Sequence, residues 1–175
     1  NKKKIQWKIK EMEARFKLRF NINQNSNKIL SDIFKKKLSY KNVYDSLINY
    51  HAKKNQVEIL GEDSAMNWRF IETFAKMYKN AKIIHIIRDP RSVFASWKKA
   101  TYQKNDYWGC IFNCIDNMNY AENLKKKLSS KNYLVVKFED ILKKPKKHCK
   151  IFCKFLNIKF EKQMILPKHW SSIFK

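Results

Sequence analysis

The stretch from Lys82 to Lys98, KIIHIIRDPRSVFASWK, sets what this chain can fold into. Ile83 to Ile87 is a continuous apolar run, broken only by His85, and short runs of this kind are buried strands. It stops at Arg88-Asp89-Pro90. Proline at the first helical turn, with aspartate before it, starts a helix with Asp89 as N-cap. A strand that ends on arginine and turns at once into a helix N-terminus is an anion site. Free backbone N–H groups, the helix dipole and the guanidinium are expected to point at one place. Ser96 stands eight residues after Arg88, two turns along from the cap, so this pair suits a phosphate.

The rest of the chain alternates in the same manner. Residues 1–20 place Ile5, Ile9, Met12, Phe16 and Phe20 on one helical face. A basic amphipathic helix of this kind packs on its own domain or lies on a membrane, and the first is the commoner case. Residues 21–27 form a polar connector, and helices are expected near 28–38 and 42–54. Val57–Leu60 is expected to be a short apolar strand ending at Gly61, and a helix follows over about 67–78. A longer helix is expected from Tyr107 to Leu128, with Ile111, Cys114, Ile115, Met118 and Ala121 inward. A strand then runs from Tyr133 to Phe138, and a helix starts at Pro145 with Cys149, Phe152, Cys153 and Leu156 as its buried stripe.

Strands separated by helices imply parallel crossovers, so the expected fold class is α/β, a parallel β-sheet flanked by helices. The whole chain reads as one domain, with 1–56 helical and 57–175 holding the sheet. Ligands in such sheets bind at the carboxyl ends of the strands. Those ends carry Gly61-Glu62-Asp63, Arg88-Asp89 and Phe138-Glu139-Asp140.

Charge narrows the partners. The 175 residues carry a formal net charge of +24. Arginine stands only at 15, 19, 69, 88 and 91, so the remaining 34 of the 39 cationic residues are lysine. The charge suits anionic partners: a nucleotide, a sulfated glycan, a nucleic acid or a membrane surface. The competing account is a coding bias that fills the surface with solvated lysine. A nucleic-acid-binding module would interleave aromatics with basic residues on one face. Here the aromatics fall mostly on apolar helix faces, so no specific nucleic-acid partner is expected. The phosphate loop G-x-x-x-x-G-K-[ST] is not in the chain.

Cys110/Cys114 and Cys149/Cys153 are spaced i,i+4 on helices, without zinc-ribbon spacing. They read as small buried thiols, and no metal site is expected. His85, mid-strand among isoleucines, reads as a core residue with a locally bonded ring.

The ten residues from Arg88 to Trp97, Arg-Asp-Pro-Arg-Ser-Val-Phe-Ala-Ser-Trp, resemble the 3′-phosphate-binding motif of sulfotransferases that use 3′-phosphoadenosine-5′-phosphosulfate (PAPS). Further segments follow in the family's order. Ile59 to Ala65 is similar to the family's Gly-Glu-Lys-(Thr/Ser)-Pro segment. Val136 to Ile141, followed by Pro145 and Phe155-Leu156, is similar to its Tyr-Glu-Asp-Leu segment and the helix after it. Trp170 to Phe174 is similar to a late Asn-Ser-Ser-Phe element.

The resemblance implies part of the sulfotransferase fold, of P-loop-NTPase type. It also implies PAPS as donor, without a metal, and a hydroxyl or amine acceptor on a glycan, small molecule or protein. It gives Arg88 and Ser96 the donor's 3′-phosphate, with Arg91 adding charge nearby and Phe138 offering a ring face to the adenine. Glu62 and Asp63 become the candidate catalytic base. The alternative is a basic polyanion- or nucleic-acid-binding module without catalysis.

Three departures stand out. The family's Gly- and Ser/Thr-rich 5′-phosphosulfate loop is not in the sequence and is expected upstream of it, which would make the chain a fragment. Asp63 replaces the family's lysine. Phe138 replaces a tyrosine and so lacks its hydroxyl. The acceptor and the oligomeric state stay open, as do membrane association and the compartment, which would be the cytoplasm in a microbe or the Golgi lumen in a eukaryote.

Overall fold

The computed structural model describes residues 1–20, 23–63, 67–100 and 107–166. The chain divides into two compact units, one over residues 1–63 and one from residue 64 onward.

The first unit is helical: α1 (Lys2–Phe20), α2 (Ser26–Phe34) and α3 (Tyr40–Asn55). Asn25 caps α2 by accepting the Lys28 N–H at 3.0 Å, and Ser39 caps α3 by accepting the Asn42 N–H at 3.1 Å. Of the expected stripe of α1, Ile5, Ile9 and Met12 face inward, and the side chains of Phe16 and Phe20 lie outside the described ones. Ile9 is buried with Ile29, Leu30 and Ile33, and Ile5 and Met12 pack around them. Burying each of these side chains contributes about 1.5–3 kcal/mol. Asn42 closes the end of α2, its amide donating to the carbonyls of Ile33 and Lys37 at 3.2 and 3.0 Å. Gln56 ends α3 in the left-handed region at φ 53°, a conformation usually left to glycine.

Val57–Leu60 is not a strand. Its backbone joins no ladder, and Val57, Ile59 and Leu60 are exposed. An apolar run becomes a strand only where a neighbour takes its N–H and C=O groups. Hydrophobicity alone therefore overstated this segment.

The second unit holds a parallel two-stranded sheet, β1 (Ile83–Ile87) and β2 (Tyr133–Lys137), in register from Ile83 opposite Tyr133 to Ile87 opposite Lys137. A turn of 3₁₀ helix (Asn67–Phe70) leads into α4 (Ile71–Met77), which comes before β1. The crossover between the strands is α5 (Pro90–Ala100) and α6 (Tyr107–Lys127). α6 packs against both strands. It buries Cys110, Cys114, Ala121 and Leu124, a stripe at i, i+4, i+11 and i+14, whereas Ile115 and Met118 are exposed. The inward face is thus rotated from the expected one, toward small residues that let the helix approach the sheet.

His85 is buried, and its ring joins the three elements. Its Nδ1 meets the Tyr133 hydroxyl at 2.6 Å and its Nε2 meets the Asn117 amide oxygen. The amide oxygen only accepts, so Nε2 donates and Nδ1 takes the tyrosine proton. Burial lowers the His85 pKa and raises that of Tyr133, keeping both neutral.

After β2 the chain bends straight into α7 (Phe138–Lys143) and then α8 (Pro145–Leu156), which ends with Asn157 at φ 58°. Phe138 thus opens a helix and does not end the strand. α8 turns Cys149, Phe152, Cys153 and Leu156 inward, as its stripe implies. All four cysteines are free thiols, and among the described residues no cluster of metal ligands occurs. Likewise, no described helix is long and apolar enough to cross a membrane.

Candidate anion-binding cleft at the strand ends

The carboxyl ends of β1 and β2 open into a cleft of about 570 Å³ within the second unit. Parallel pairing in register brings Ile87 and Lys137 side by side, so the turns that follow each strand face each other. One wall is the turn Arg88-Asp89-Pro90-Arg91. The other is Lys137, Glu139, Asp140 and Lys143, with Met118 of α6 between them.

Asp89 organises the first wall. Its Oδ1 accepts the Arg91 N–H at 2.8 Å, and its carbonyl accepts the N–H groups of Ser92 and Val93 at 3.0 Å each. The Arg91 guanidinium closes on the same carboxylate, Nη2 to Oδ2 at 2.6 Å. These bonds from Arg91 hold the Asp89 carboxyl at a pKa of about 2. The helix start is therefore capped as expected, but its first donors are not free for an anion. Proline has none, and the next three N–H groups are taken by Asp89. Arg91 is likewise committed to Asp89, although its side chain is largely exposed.

The second wall is tied to the first by one hydrogen bond. Glu139 Oε1 accepts the Asp89 N–H at 2.9 Å. Glu139 thereby pins the turn that follows β1.

Arg88 differs from every other cation here. It is half-buried, and its guanidinium lies over the Phe138 ring, 4.7 Å from the centroid. Its Nε is buried without a hydrogen-bond partner, and among the described residues no carboxylate pairs with it. A buried guanidinium N–H left unpaired costs about 1–3 kcal/mol or more. Such a group in a native fold calls for an explanation, and an anionic ligand's oxygen would supply one. Lys137 and Lys143 add charge across the cleft. Sequence reasoning missed both, because they are two lysines among 34. Their signal was position, one at a strand end and the other at the end of the next helix.

The remaining expected site residues are placed as follows. Ser96 is on α5, exposed, and is not among the residues that line the cleft. Phe138 is under Arg88, so one ring face is already covered. Glu62 and Asp63 belong to the first unit, where both are exposed and Glu62 Oε2 accepts a hydrogen bond from the Tyr44 hydroxyl at 2.7 Å. Ser64 and Ala65, and the segment Trp170 to Phe174, lie outside the described residues.

The sequence matches the model of the Sulfotransferase family over residues 2–162. The chain belongs to the sulfotransferase family. Among solved structures, this sulfotransferase is similar to the "Sulfotransferase Domain from the Curacin Biosynthetic Pathway", with a TM-score of 0.64 and 23% identity. That match covers 89% of this chain and 57% of the other. At this identity the likeness speaks for the fold, and the chain spans little more than half the length of the structure it matches. No curated protein matches the sequence.

Proposed function

We propose that this sulfotransferase transfers a sulfuryl group from PAPS to a hydroxyl or amine acceptor, and that Arg88 holds the donor's 3′-phosphate. The observation that carries the reading is the buried Nε of Arg88, which has no hydrogen-bond partner. It sits at a strand end, in a cleft large enough for a nucleotide, on a turn whose backbone donors are already used. A phosphate oxygen would give Nε its missing acceptor in a charge-assisted bond. Lys137 and Lys143 would balance the remaining phosphate charge. Phe138 would serve the donor by holding the guanidinium in place, and Ser96 by closing on the phosphate from α5.

In the transfer itself the bond between sulfur and the bridging oxygen breaks. The electron pair leaves with 3′-phosphoadenosine-5′-phosphate, and the acceptor oxygen or nitrogen bonds to sulfur and gives up its proton. The protein's share is in-line positioning and cationic stabilisation of the leaving phosphate, as in phosphoryl transfer. Arg88 acts at the far end of the donor, through binding and register. Glu62 and Asp63 are the proposed proton acceptors. With aspartate at 63, the cation on the leaving group has to come from another lysine.

The test is calorimetric titration of the protein with 3′-phosphoadenosine-5′-phosphate, with 5′-AMP as control. Binding that depends on the 3′-phosphate supports the assignment. Equal, weak and salt-sensitive binding of both nucleotides would reduce the cleft to one part of a basic surface, and the polyanion-binding reading would replace it.

A further inference from the structure

Helix α1 has two different apolar faces. One is committed to the first unit, where Ile5, Ile9 and Met12 pack into its core. On the opposite side runs a second line, Trp7, Ala14 and Leu18, all exposed. At 3.6 residues per turn these three share about 40° of arc and span about 16 Å. Trp7 is 59% exposed, and Leu18, at 86%, is the most exposed large aliphatic side chain among the described residues. Scattered singly, such residues need no explanation. Here they are aligned, and cations flank the line on both sides. Lys3, Lys10 and Lys17 follow one edge at seven-residue intervals, and Lys4, Lys8 and Arg15 follow the other. Of the helix's two carboxylates, Glu11 stands on this side, taken by Lys8 at 3.0 Å and Arg15 at 2.6 Å. Among the described residues no carboxylate pairs with Lys3, Lys4, Lys10 or Lys17.

We infer that this outer face of α1 lies on an anionic lipid surface, with Trp7 and Leu18 at the boundary between headgroups and acyl chains and the two cation rows on the phosphates. The inference is independent of the proposed transfer reaction. Lysine by itself selects no partner in a chain that holds so many. The selection comes from what stands between the rows. Interfacial helices set Trp and Leu into the lipid boundary, while the long stems of Lys and Arg reach past them to the headgroups. A single-stranded nucleic acid needs a series of stacking rings, and this face has one, with the Lys8 ammonium 4.5 Å from its centroid. A second copy of the chain would set cation row against cation row. Other faces carry half of the pattern. On α6, Trp108, Phe112 and Ile115 form an exposed apolar line, but residues 105–124 hold no Lys or Arg to grip a phosphate. On α8 the exposed lysines enclose Ile151 alone. Because the larger apolar face of α1 is committed to the core, charge supplies most of the lipid affinity, so binding should need anionic lipid and weaken with salt.

The experiment is co-sedimentation of the protein, at low and high salt, with vesicles of phosphatidylcholine alone and with about one-third phosphatidylserine. Binding is expected to need phosphatidylserine. The variant W7S/L18S alters two exposed side chains and no charge, and its affinity for the anionic vesicles must fall about tenfold. Neutralising one row, K3Q/K10Q/K17Q, must cost about a hundredfold, because each lysine near an anionic leaflet contributes about fivefold. K146Q/K150Q/K154Q on α8, with the same net charge, must lose no more than about threefold. Lipids brominated on their acyl chains must quench tryptophan emission in the wild-type protein and much less in Trp7→Phe, which keeps an aromatic ring on the line. Equal losses in the α1 and α8 variants overturn the assignment. So do W7S/L18S binding like the wild type, quenching that survives Trp7→Phe, and failure to bind the anionic vesicles at all. A dT20 oligonucleotide is run alongside. If K3Q/K10Q/K17Q loses dT20 binding and keeps vesicle binding, the face belongs to nucleic acid and the assignment falls.

Discussion

Replacing Arg88 by methionine is expected to make the protein more stable and less selective at once. The buried Nε without a partner costs about 1–3 kcal/mol in the free protein. Losing the guanidinium also forfeits its contact with the Phe138 face, about 0.5–2 kcal/mol. Methionine keeps a flexible apolar stem over the ring and has no N–H to leave unsatisfied. The balance is a gain of about 1 kcal/mol, which for a chain of this size raises Tm by about 2–4 °C. Binding moves the other way. A hydrogen bond to a charged group contributes about 1.5–3 kcal/mol, so affinity for 3′-phosphoadenosine-5′-phosphate should fall about 10- to 150-fold. Affinity for 5′-AMP, which has no 3′-phosphate, should hardly change. Scanning calorimetry without nucleotide and titration calorimetry with both nucleotides read the two effects on one preparation. A variant that melts several degrees lower and keeps the wild-type preference for the 3′-phosphate would refute the reasoning. Arg88 would then be a structural residue satisfied by the fold.

Three further outcomes are expected. Tyr133→Phe removes the proton donor to His85 Nδ1 and leaves a buried ring nitrogen unpaired, so stability should fall by about 1–3 kcal/mol in urea unfolding. Burial lowers the folded pKa of His85 below the reference 6.5. Between the folded and unfolded values the unfolded chain binds the extra proton, so this stability is complete above about pH 7 and declines as pH falls below about 6.5, by up to ~1.4 kcal/mol per pH unit. Urea midpoints from pH 8 to 5 trace the decline, and a flat profile would count against a neutral buried ring. Gln56→Gly should raise the urea midpoint by a stabilisation of about 1 kcal/mol, because the left-handed backbone at φ 53° strains any residue with a Cβ.

Legibility in the sequence followed the range of the interactions. The Asp89 cap, the strand Ile83–Ile87, the buried His85 and the inward stripe of α8 depend on neighbours within a turn or two, and periodicity and residue chemistry revealed them. Val57–Leu60 failed because a strand is defined by a partner elsewhere in the chain. The inward face of α6 was misjudged because the sheet selects small residues for close approach, and hydrophobicity favoured Ile115 and Met118. At the cleft, the motif pointed to Arg88, Asp89 and Arg91. It could not show that Asp89 takes the helix donors, or that the buried Nε of Arg88 is left without a hydrogen-bond partner. Those are matters of competition among nearby acceptors, and only coordinates display them. Lys137 and Lys143 were hidden by abundance.

The pairing of Ile83 with Tyr133 bears on how the chain is made. The two partners are 50 residues apart, and closing a loop of that length costs about 3–4 kcal/mol of entropy before any ladder bond forms. On the ribosome, at about 5–20 residues per second, β1 waits roughly 3–10 s for its neighbour to be synthesised. During that time Ile-Ile-His-Ile-Ile is a bare, β-prone segment of the kind that pairs with other chains. Lys82 and Arg88 bracket it with charge, the placement by which natural sequences guard such segments. Arg88 thus guards the nascent chain, and a replacement that hardens the finished protein, such as methionine, is expected to lower the yield of soluble protein during synthesis.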